Sequence, residues 1–588
     1  MISFGGYIDR SQSSLDNDKQ ENTVFCSPDN HVLMIWQGYI YNRQELKESL
    51  TGYPLTSDND GEVIIAAYQK WGETFVRSLS GSFVIALHDK KEKRFYLFRD
   101  HMGYEPLYYQ LENETLYFSS SLKLLMARPG FNLVISKEIL TRYLFHHYIC
   151  HPDSILEGVF KLTPGELLCF RLNQTPVMIE TRKYWDIAQL YHEMQSSPVN
   201  DYQTARDELE VKLLRAVSAR IKRNPSWGTF LSGGYDSSLV TAMAAAISEK
   251  PVKTFSLGFM EKEFDESRYA KMIASHLGCE HHEVYMTESD MLSLVDKIVD
   301  FYDEPFADQS QIPMMKISEI TGKNVNFALS GDGGDELFCG YNMYDLVRTA
   351  QKLDMYGEVL HRFLHLPFIR RMELERRLPF RVHAITVNRN PETKTQYGGS
   401  YAEVAKNMVS DSIPSDIMYH YESRYQESNW QIRRMLLDID TYLPADILMK
   451  VYGATRGYSL IADSPILDTA VVEYSFRIAH DFKYHKGERK RIFKDITHDY
   501  IPHELLERPK VGFAAPIDKW LRGPLRNQVI DLANKDFLRN QGVFNADYTA
   551  AMIEKYLIEG DAGPATGANY SHIVWAFLVF QKWYLKYC

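Results

Sequence analysis

Cysteine is scarce and scattered: the 588 residues hold six, Cys26, Cys150, Cys169, Cys279, Cys339 and Cys588, and no two stand at CxxC spacing. That excludes a zinc knuckle and a disulfide framework, and it fits a reducing, cytoplasmic setting. No hydrophobic run is long. The stretch Ile573 to Phe580 falls far short of the roughly 20 apolar residues that span a bilayer, and Asp9 and Arg10 interrupt the N-terminus where a signal peptide needs an apolar core. A membrane is therefore not an expected partner. Basic clusters interleaved with aromatics are also missing, and Asp+Glu outnumber Lys+Arg by 77 to 66 for a net charge of −11, which argues against nucleic acid. There is no low-complexity tract and no internal repeat, and 45% of the residues are hydrophobic, so disorder and fibre are excluded too.

What is present divides the chain in two. Up to about residue 190 the sequence alternates short β-rich segments with turns: Val32 to Ile40, Phe83 to His88, Arg94 to Phe98, Leu107 to Tyr109 and Leu116 to Ser119. One helix, Glu62 to Trp71, interrupts them, which gives an α+β, layered-sheet domain over 1–190. The polar stretch His192 to Asn200 reads as a linker. A second domain over 201–588 opens with a helix from Tyr202 to Ile221. Strand Trp227 to Leu231, a glycine turn, a helix through Ser238 to Ser248 and strand Val252 to Gly258 follow. Strand, helix and strand in that order imply a βαβ unit in a parallel sheet. Beyond Tyr341 the chain reads as mostly helical, with Arg/Glu-rich stretches such as Arg370 to Arg381 taken as solvated helix faces.

The most informative segment is Leu231-Ser232-Gly233-Gly234-Tyr235-Asp236-Ser237-Ser238, between a strand and a helix. Serines and glycines at a helix N-terminus present backbone and hydroxyl donors to an anion, which the helix dipole also favours. The lysine of a Walker A loop is missing, and the pattern SGGxDS is that of loops that bind the pyrophosphate of ATP when it is split between the α and β phosphates. A second loop, Leu329-Ser330-Gly331-Asp332-Gly333-Gly334-Asp335-Glu336, follows another strand. Alone it reads as an acidic surface turn. Two such loops after strands of one parallel sheet point instead to a shared ligand at the strands' carboxyl ends. Mg²⁺ usually takes one or two carboxylates plus phosphate oxygens, so Asp236 and Asp335 form a candidate Mg²⁺ pair.

These loops, together with Asp303-Glu304-Pro305-Phe306-Ala307-Asp308, Ser464-Pro465-Ile466-Leu467-Asp468, Gly487-Glu488-Arg489-Lys490, Lys510-Val511-Gly512-Phe513 and Trp520-Leu521-Arg522, resemble the asparagine synthetase family nearly end to end. So do Gly38-Tyr39-Ile40-Tyr41-Asn42, Arg99-Asp100-His101-Met102-Gly103 and Leu162-Thr163-Pro164-Gly165-Glu166 in the first half. The resemblance implies an N-terminal Ntn-hydrolase-like glutaminase sandwich and a C-terminal synthetase of the PP-loop ATP pyrophosphatase type. It implies ATP and Mg²⁺ as cofactors, with Asp236 and Asp335 as metal ligands. Leu231, Ser232, Gly233, Gly234, Asp236, Ser237, Ser238, Ser330 and Gly331 are then expected nucleotide contacts, and Lys490 and Asp332 the expected catalytic residues.

The departures from that family are as telling. Its glutaminase nucleophile is an N-terminal cysteine, whereas residue 2 here is Ile2, no cysteine precedes Cys26, and the glutamine-pocket signature is missing. Gln37 and Tyr39 replace the Asn and Glu expected around Gly38, so the glutaminase is expected to be dead. Before Ser464 the family's acidic and arginine residues give way to Tyr452-Gly453 and Ile461-Ala462-Asp463. Asp463 in place of arginine is expected to reverse a charge near the acceptor pocket and to disfavour free aspartate. The leading expectation is an AMP-forming amide ligase that closes a carboxylate onto an amine of the same substrate, as lasso peptide cyclases do in natural-product biosynthesis. Greater length favours that over a β-lactam-synthetase-like small-molecule cyclase. An ammonia-dependent asparagine synthetase or tailoring amidotransferase is the runner-up, and a non-catalytic nucleotide-binding protein is the alternative from another class. Expected partners are a carboxylate-bearing peptide or small molecule, and a precursor-processing protein or a second copy of the chain.

Overall fold

The structure is a computed structural model that describes residues 3–9, 13–17, 24–53, 55, 57, 59–174, 178–259, 267–352, 399–409, 424, 425, 427–507, 515–561 and 570–588. The motif Lys510 to Phe513 and the stretch Arg370 to Arg381 lie outside the described residues.

Two antiparallel sheets stack face to face in the first half. One has five strands in the order Ser13–Asn17, Phe4–Ile8, Thr115–Ser119, Tyr108–Glu112, Phe160–Lys161; the other has six, Met178–Lys183, Glu166–Arg171, Arg94–Arg99, Gly81–Asp89, Val32–Ile40, Phe25–Cys26. The central strand Gly81–Asp89 reads as a continuous apolar run because both of its faces are covered. Val84 and Ala86 pack between the sheets with Phe4, Phe95 and Phe118. Phe83, Ile85 and Leu87 pack on the other side against the helix Asp60–Trp71 through Ile64, Ala67 and Tyr68. Asn59 caps that helix by accepting from the Gly61 N–H at 2.8 Å.

The second half is built on a five-stranded, all-parallel sheet in the order Glu280–Met286, Lys253–Phe259, Trp227–Phe230, Phe327–Leu329, Ile461–Asp463. The chain winds outward from Trp227–Phe230 in one direction, then returns to its other side, so the strand order reverses between Trp227–Phe230 and Phe327–Leu329. That reversal opens a crevice at their C-terminal ends. The segment read as a linker is exposed apart from Val199 and half-buried Met194; the helix Ile187–Met194 runs into it, and Val199 bridges to Ile478. The apolar stretch Ile573 to Phe580 lies on the helix Tyr570–Tyr587, where it is wholly buried. Trp583 Nε1 donates to the Asp303 carbonyl at 2.9 Å within the second half, and Tyr143 Oη of the first half donates to the Ala576 carbonyl at 3.0 Å, so this helix is also tied to the N-terminal half. Among the described residues no helix is long and apolar enough to cross a membrane.

One buried cation costs stability. Lys483 is 5% exposed beneath the Phe338 ring, and burial pushes its ammonium pKa down to about 7. An unfolded lysine titrates near ~10.4. Between those values the unfolded chain holds a proton that the folded chain has released, so this group's contribution makes stability rise with pH across that window. Lys483→Met is expected to melt about 3 °C or more above the parent at pH 7, with the gap closing toward pH 10. Melting curves at the two pH values check this, and a gap independent of pH would contradict it.

Candidate functional site

The first loop is shaped by its own hydroxyls. The Ser232 N–H donates to Ser237 Oγ at 3.1 Å, the two side-chain oxygens lie 3.0 Å apart, and the Gly234 N–H donates to Ser232 Oγ at 3.2 Å. Gly233 turns the chain at φ +78°, a conformation that favours glycine. Gly234 then caps the helix Tyr235–Ile247 without a side-chain acceptor, leaving first-turn N–H groups for an anion. Ser232 is exposed at the mouth of the loop, whereas Leu231 and Ser238 are buried. Leu231 is held by its N–H donating to the Phe255 carbonyl at 2.9 Å, and Ser238 Oγ lies within the core, so neither presents a side chain at the loop's surface.

The second loop emerges beside it, because Thr229 pairs with Leu329 across the switch point. Glycines let the two loops touch. A Cβ on Gly331 would lie 2.6 Å from the Ser237 nitrogen, and one on Gly334 2.3 Å from Asp236 Oδ1. Asp335 and Glu336 ride the short helix Gly334–Leu337, entered through Gly333 at φ +91°. Glu336 is buried away from the crevice, accepting from Tyr341 Oη at 2.7 Å.

Lys490 closes the site from a third element. The hairpin of Tyr484–His485 and Glu488–Arg489 delivers it in a left-handed conformation, φ +56°, at the N-cap of Arg491–His498. Its Nζ lies 2.6 Å from Asp236 Oδ1 and 2.7 Å from Asp335 Oδ1. Burial would depress the ammonium, but the two carboxylates outweigh it and hold the pKa at about 12. Asp332 sits alongside. Burial raises its carboxyl pKa against the hydroxyl of Ser330 and the charge of Lys450, while Asp236 and Asp335 raise it further. Its carbonyl oxygen accepts from Ser464 Oγ at 2.7 Å. Asp236, Asp332, Asp335 and Lys490 are thus brought together, with Ser232, Ser237, Ser330 and Gly331 lining the adjoining loops.

Sequence reasoning missed three contributors. Gly340 is the most exacting: a Cβ there would lie 2.0 Å from both Asp335 Oδ1 and Lys490 Cε. Gly340→Ala is expected to reduce ATP–pyrophosphate exchange about 10²-fold, since moving a reacting group by about 1 Å has that effect. Exchange within two-fold of the parent would show that the lysine and carboxylate can yield. Lys450 is the second, paired with Asp308 at 3.1 Å and sensed by Asp332. Its one sequence signal is a lone lysine within Ile447-Leu448-Met449-Lys450-Val451. Tyr104 is the third; its Oη accepts the Ser464 N–H at 3.0 Å, and nothing local in the sequence points to it.

One expectation is overturned. Asp463 does not reverse the charge of an acceptor pocket. It is 1% exposed, ion-paired to Arg220 at 2.5 Å, and Arg220 also binds Asp468 at 3.0 Å beneath the Tyr41 ring. The charge is neutralised inside the fold, so Asp463 carries no information about the substrate. Tyr452, where the family has an acidic residue, faces the other half of the chain, its hydroxyl 3.5 Å from Gln37 Nε2. Gln37 donates to Glu105 Oε2 at 2.6 Å, and Glu105 forms an ion pair with Arg456.

The family models match in the same places: an asparagine synthase domain over residues 208–585 and a glutamine amidotransferase domain over 10–185. The glutamine-hydrolysing asparagine synthetase 1 of Bacillus subtilis is 28% identical over 575 residues, which cover 94% of this chain and 85% of that one. A putative asparagine synthetase of Mycobacterium bovis is 28% identical over 95% of this chain and 85% of its own. A protein named amidase chry2 from Gibberella zeae is 23% identical over 90% and 84%. The match to the asparagine synthase domain alone spans more than half of the sequence, and the chain belongs to the asparagine synthase family of ATP-dependent carbon–nitrogen ligases.

Proposed function

We propose that the protein adenylates a substrate carboxylate and then closes it onto an amine of that same substrate, as a macrolactam-forming ligase. The observation that carries the first half is the convergence of Asp236 and Asp335 on Lys490 Nζ, at 2.6 and 2.7 Å, at the switch point of the sheet. In the activation step a carboxylate oxygen bonds to the α-phosphorus of ATP and the α–β bond breaks, releasing pyrophosphate. The Ser232–Ser237 loop supplies N–H and hydroxyl donors to the leaving phosphates. In the second step the amine nitrogen bonds to the acyl carbon, AMP leaves with the bonding electron pair, and the amine loses a proton. Lys490 stays protonated through both steps, where it neutralises phosphate and oxyanion charge. Asp332, its pKa raised by burial, is in this reading the base that takes the amine's proton.

The residues fit Mg²⁺. Asp236 and Asp335 already converge on a single cation, and Glu336 is turned away, leaving two carboxylates for a metal that completes its shell with phosphate oxygens and water. When bound, the metal supplies charge neutralisation on the transferring phosphates.

Support for a substrate-borne amine comes from the N-terminal half. Of its cysteines, Cys26 is exposed and donates to Asn30 Oδ1 at 2.8 Å, while Cys150 and Cys169 are buried. Burial raises the Cys169 thiol pKa, the opposite of a nucleophile's activation. Glutamine incubated with the protein is expected to yield no glutamate above a blank, and glutamate formation that follows the protein through purification would count against this. The decisive assay is ATP–pyrophosphate exchange over a panel of amino-terminated peptides and small amino acids, followed by mass analysis. Product at substrate mass minus one water, formed without ammonium salts, supports ring closure. An amide that appears only with added ammonium favours an amidotransferase.

A further inference from the structure

The N-terminal half grips the ligase site through one short segment. Residues 463–468 leave the C-terminal end of the edge strand Ile461–Asp463, beside Phe327–Leu329. Three residues of the N-terminal half hold that segment. Tyr104 Oη accepts the Ser464 N–H at 3.0 Å, and Ser80 Oγ donates to Asp468 Oδ2 at 3.4 Å. The Tyr41 ring covers Arg220, which clasps Asp463 and Asp468. On its other side Ser464 Oγ donates to the Asp332 carbonyl at 2.7 Å, and the Ser330 N–H donates to the Asp463 carbonyl at 3.0 Å. Two hydrogen bonds therefore run from Tyr104 through Ser464 to Asp332, across the boundary between the halves.

The turn that presents Tyr104 is itself fixed. Asp100 Oδ1 accepts from the N–H groups of Met102, Gly103 and Tyr104 at 3.0, 2.6 and 3.1 Å, and Oδ2 accepts from Glu105 at 3.2 Å. Gly103 occupies φ +75°, and a Cβ there would lie 2.6 Å from Pro164. Ser464 is fully buried, so its N–H has no water to turn to if Tyr104 lets go.

We propose that Tyr104 is a positioning residue of the ligase, holding Ser464 and through it the backbone of Asp332, so that the N-terminal half forms part of the ligase site. This rests on the reading of Asp332 as the group that meets the acceptor amine. A tyrosine ring braced by its own carboxylate-bound turn is stiff support for a loop that otherwise hangs on glycines.

The test uses the full chain with Tyr104→Phe, Ser464→Ala and the double variant. Phenylalanine keeps the ring and its packing and removes only the acceptor. Each single change is expected to lower kcat for product formation about 10-fold while KM for ATP stays within about two-fold. The double variant should be no worse than the poorer single, because both cut one chain. Hydrogen exchange provides a second readout that needs no substrate. Backbone amides over 330–335 should exchange about five-fold faster in Tyr104→Phe, with Lys253–Phe259 unchanged. Parental kcat in Tyr104→Phe, losses that multiply in the double variant, or unaltered exchange over 330–335 would each overturn the proposal. If the parent forms no adenylate with any acid, the ligase reading falls, and the exchange result still judges Tyr104. Should Tyr104→Phe fail to fold, Ser464→Ala still tests the link to Asp332, and the exchange rate of the Ser464 amide in the parent tests the hold of Tyr104: a protected amide is expected, and a freely exchanging one overturns the proposal.

Discussion

Asp236→Ala and Asp335→Ala are each expected to abolish ATP–pyrophosphate exchange, with losses of about 10³ or more, since each removes half of the pair that meets the metal and the phosphates. The two variants should differ in stability. Asp335→Ala leaves Lys490 with both oxygens of Asp236, at 2.6 and 2.5 Å, whereas Asp236→Ala leaves it Asp335 alone. A buried ammonium stripped of most of its partners costs about 3–5 kcal/mol, so Asp236→Ala should melt lower. Exchange assays with calorimetry on both proteins check this. Exchange near the parental rate in either variant would remove that carboxylate from the mechanism.

Lys490→Met should reduce product formation about 10² or more while ATP binding declines much less, the pattern of a donor whose charge is needed most as negative charge develops. Its removal also leaves Asp236 and Asp335 facing each other without a cation. Their carboxyl pKa values should rise, so residual activity is expected to increase with pH, where both ionise and can again take a metal. Lys490→Arg should not restore the rate. Gly340 is kept free of a side chain to admit the lysine stem, and a planar guanidinium is broader than an ammonium. Rates across pH for the three proteins decide it. A pH-independent residual rate in Lys490→Met would mean the lysine does not govern the ionisation of the pair.

Local rules made most of the fold readable. Val32–Ile40 is a strand over the very residues that alternation and β-branching mark, and the strand–glycine–helix passage from Trp227 into Tyr235–Ile247 carries its own punctuation. The loops at Ser232 and Ser330 were legible because glycine, serine and carboxylate together have few other uses after a buried strand. Long-range contacts were not legible. Asp463 looks like a reversed charge until Arg220, more than two hundred residues earlier in the chain, is seen beside it. Gly340 resembles any glycine before a tyrosine until Lys490 is brought to within van der Waals range of it. The strand Ile461–Asp463 is only three residues long, too short for periodicity to reveal, and it is defined by the neighbour it pairs with. His192 to Asn200 is polar and mostly exposed, yet it is tethered where the Val199 N–H donates to the Arg477 carbonyl at 2.8 Å, a long-range contact that composition does not show.

The late arrival of that edge strand has a consequence for biosynthesis. Phe327–Leu329 is apolar and wholly buried in the finished sheet, but the strand that covers its open side follows about 130 residues later. At ribosomal rates of about 5–20 residues per second, its unpaired backbone stands uncovered for roughly ten seconds on each nascent chain. An exposed apolar edge is a template for association with another chain, so expression at lower temperature or with a holdase chaperone should raise the recovered yield far more than it raises the stability of the finished protein.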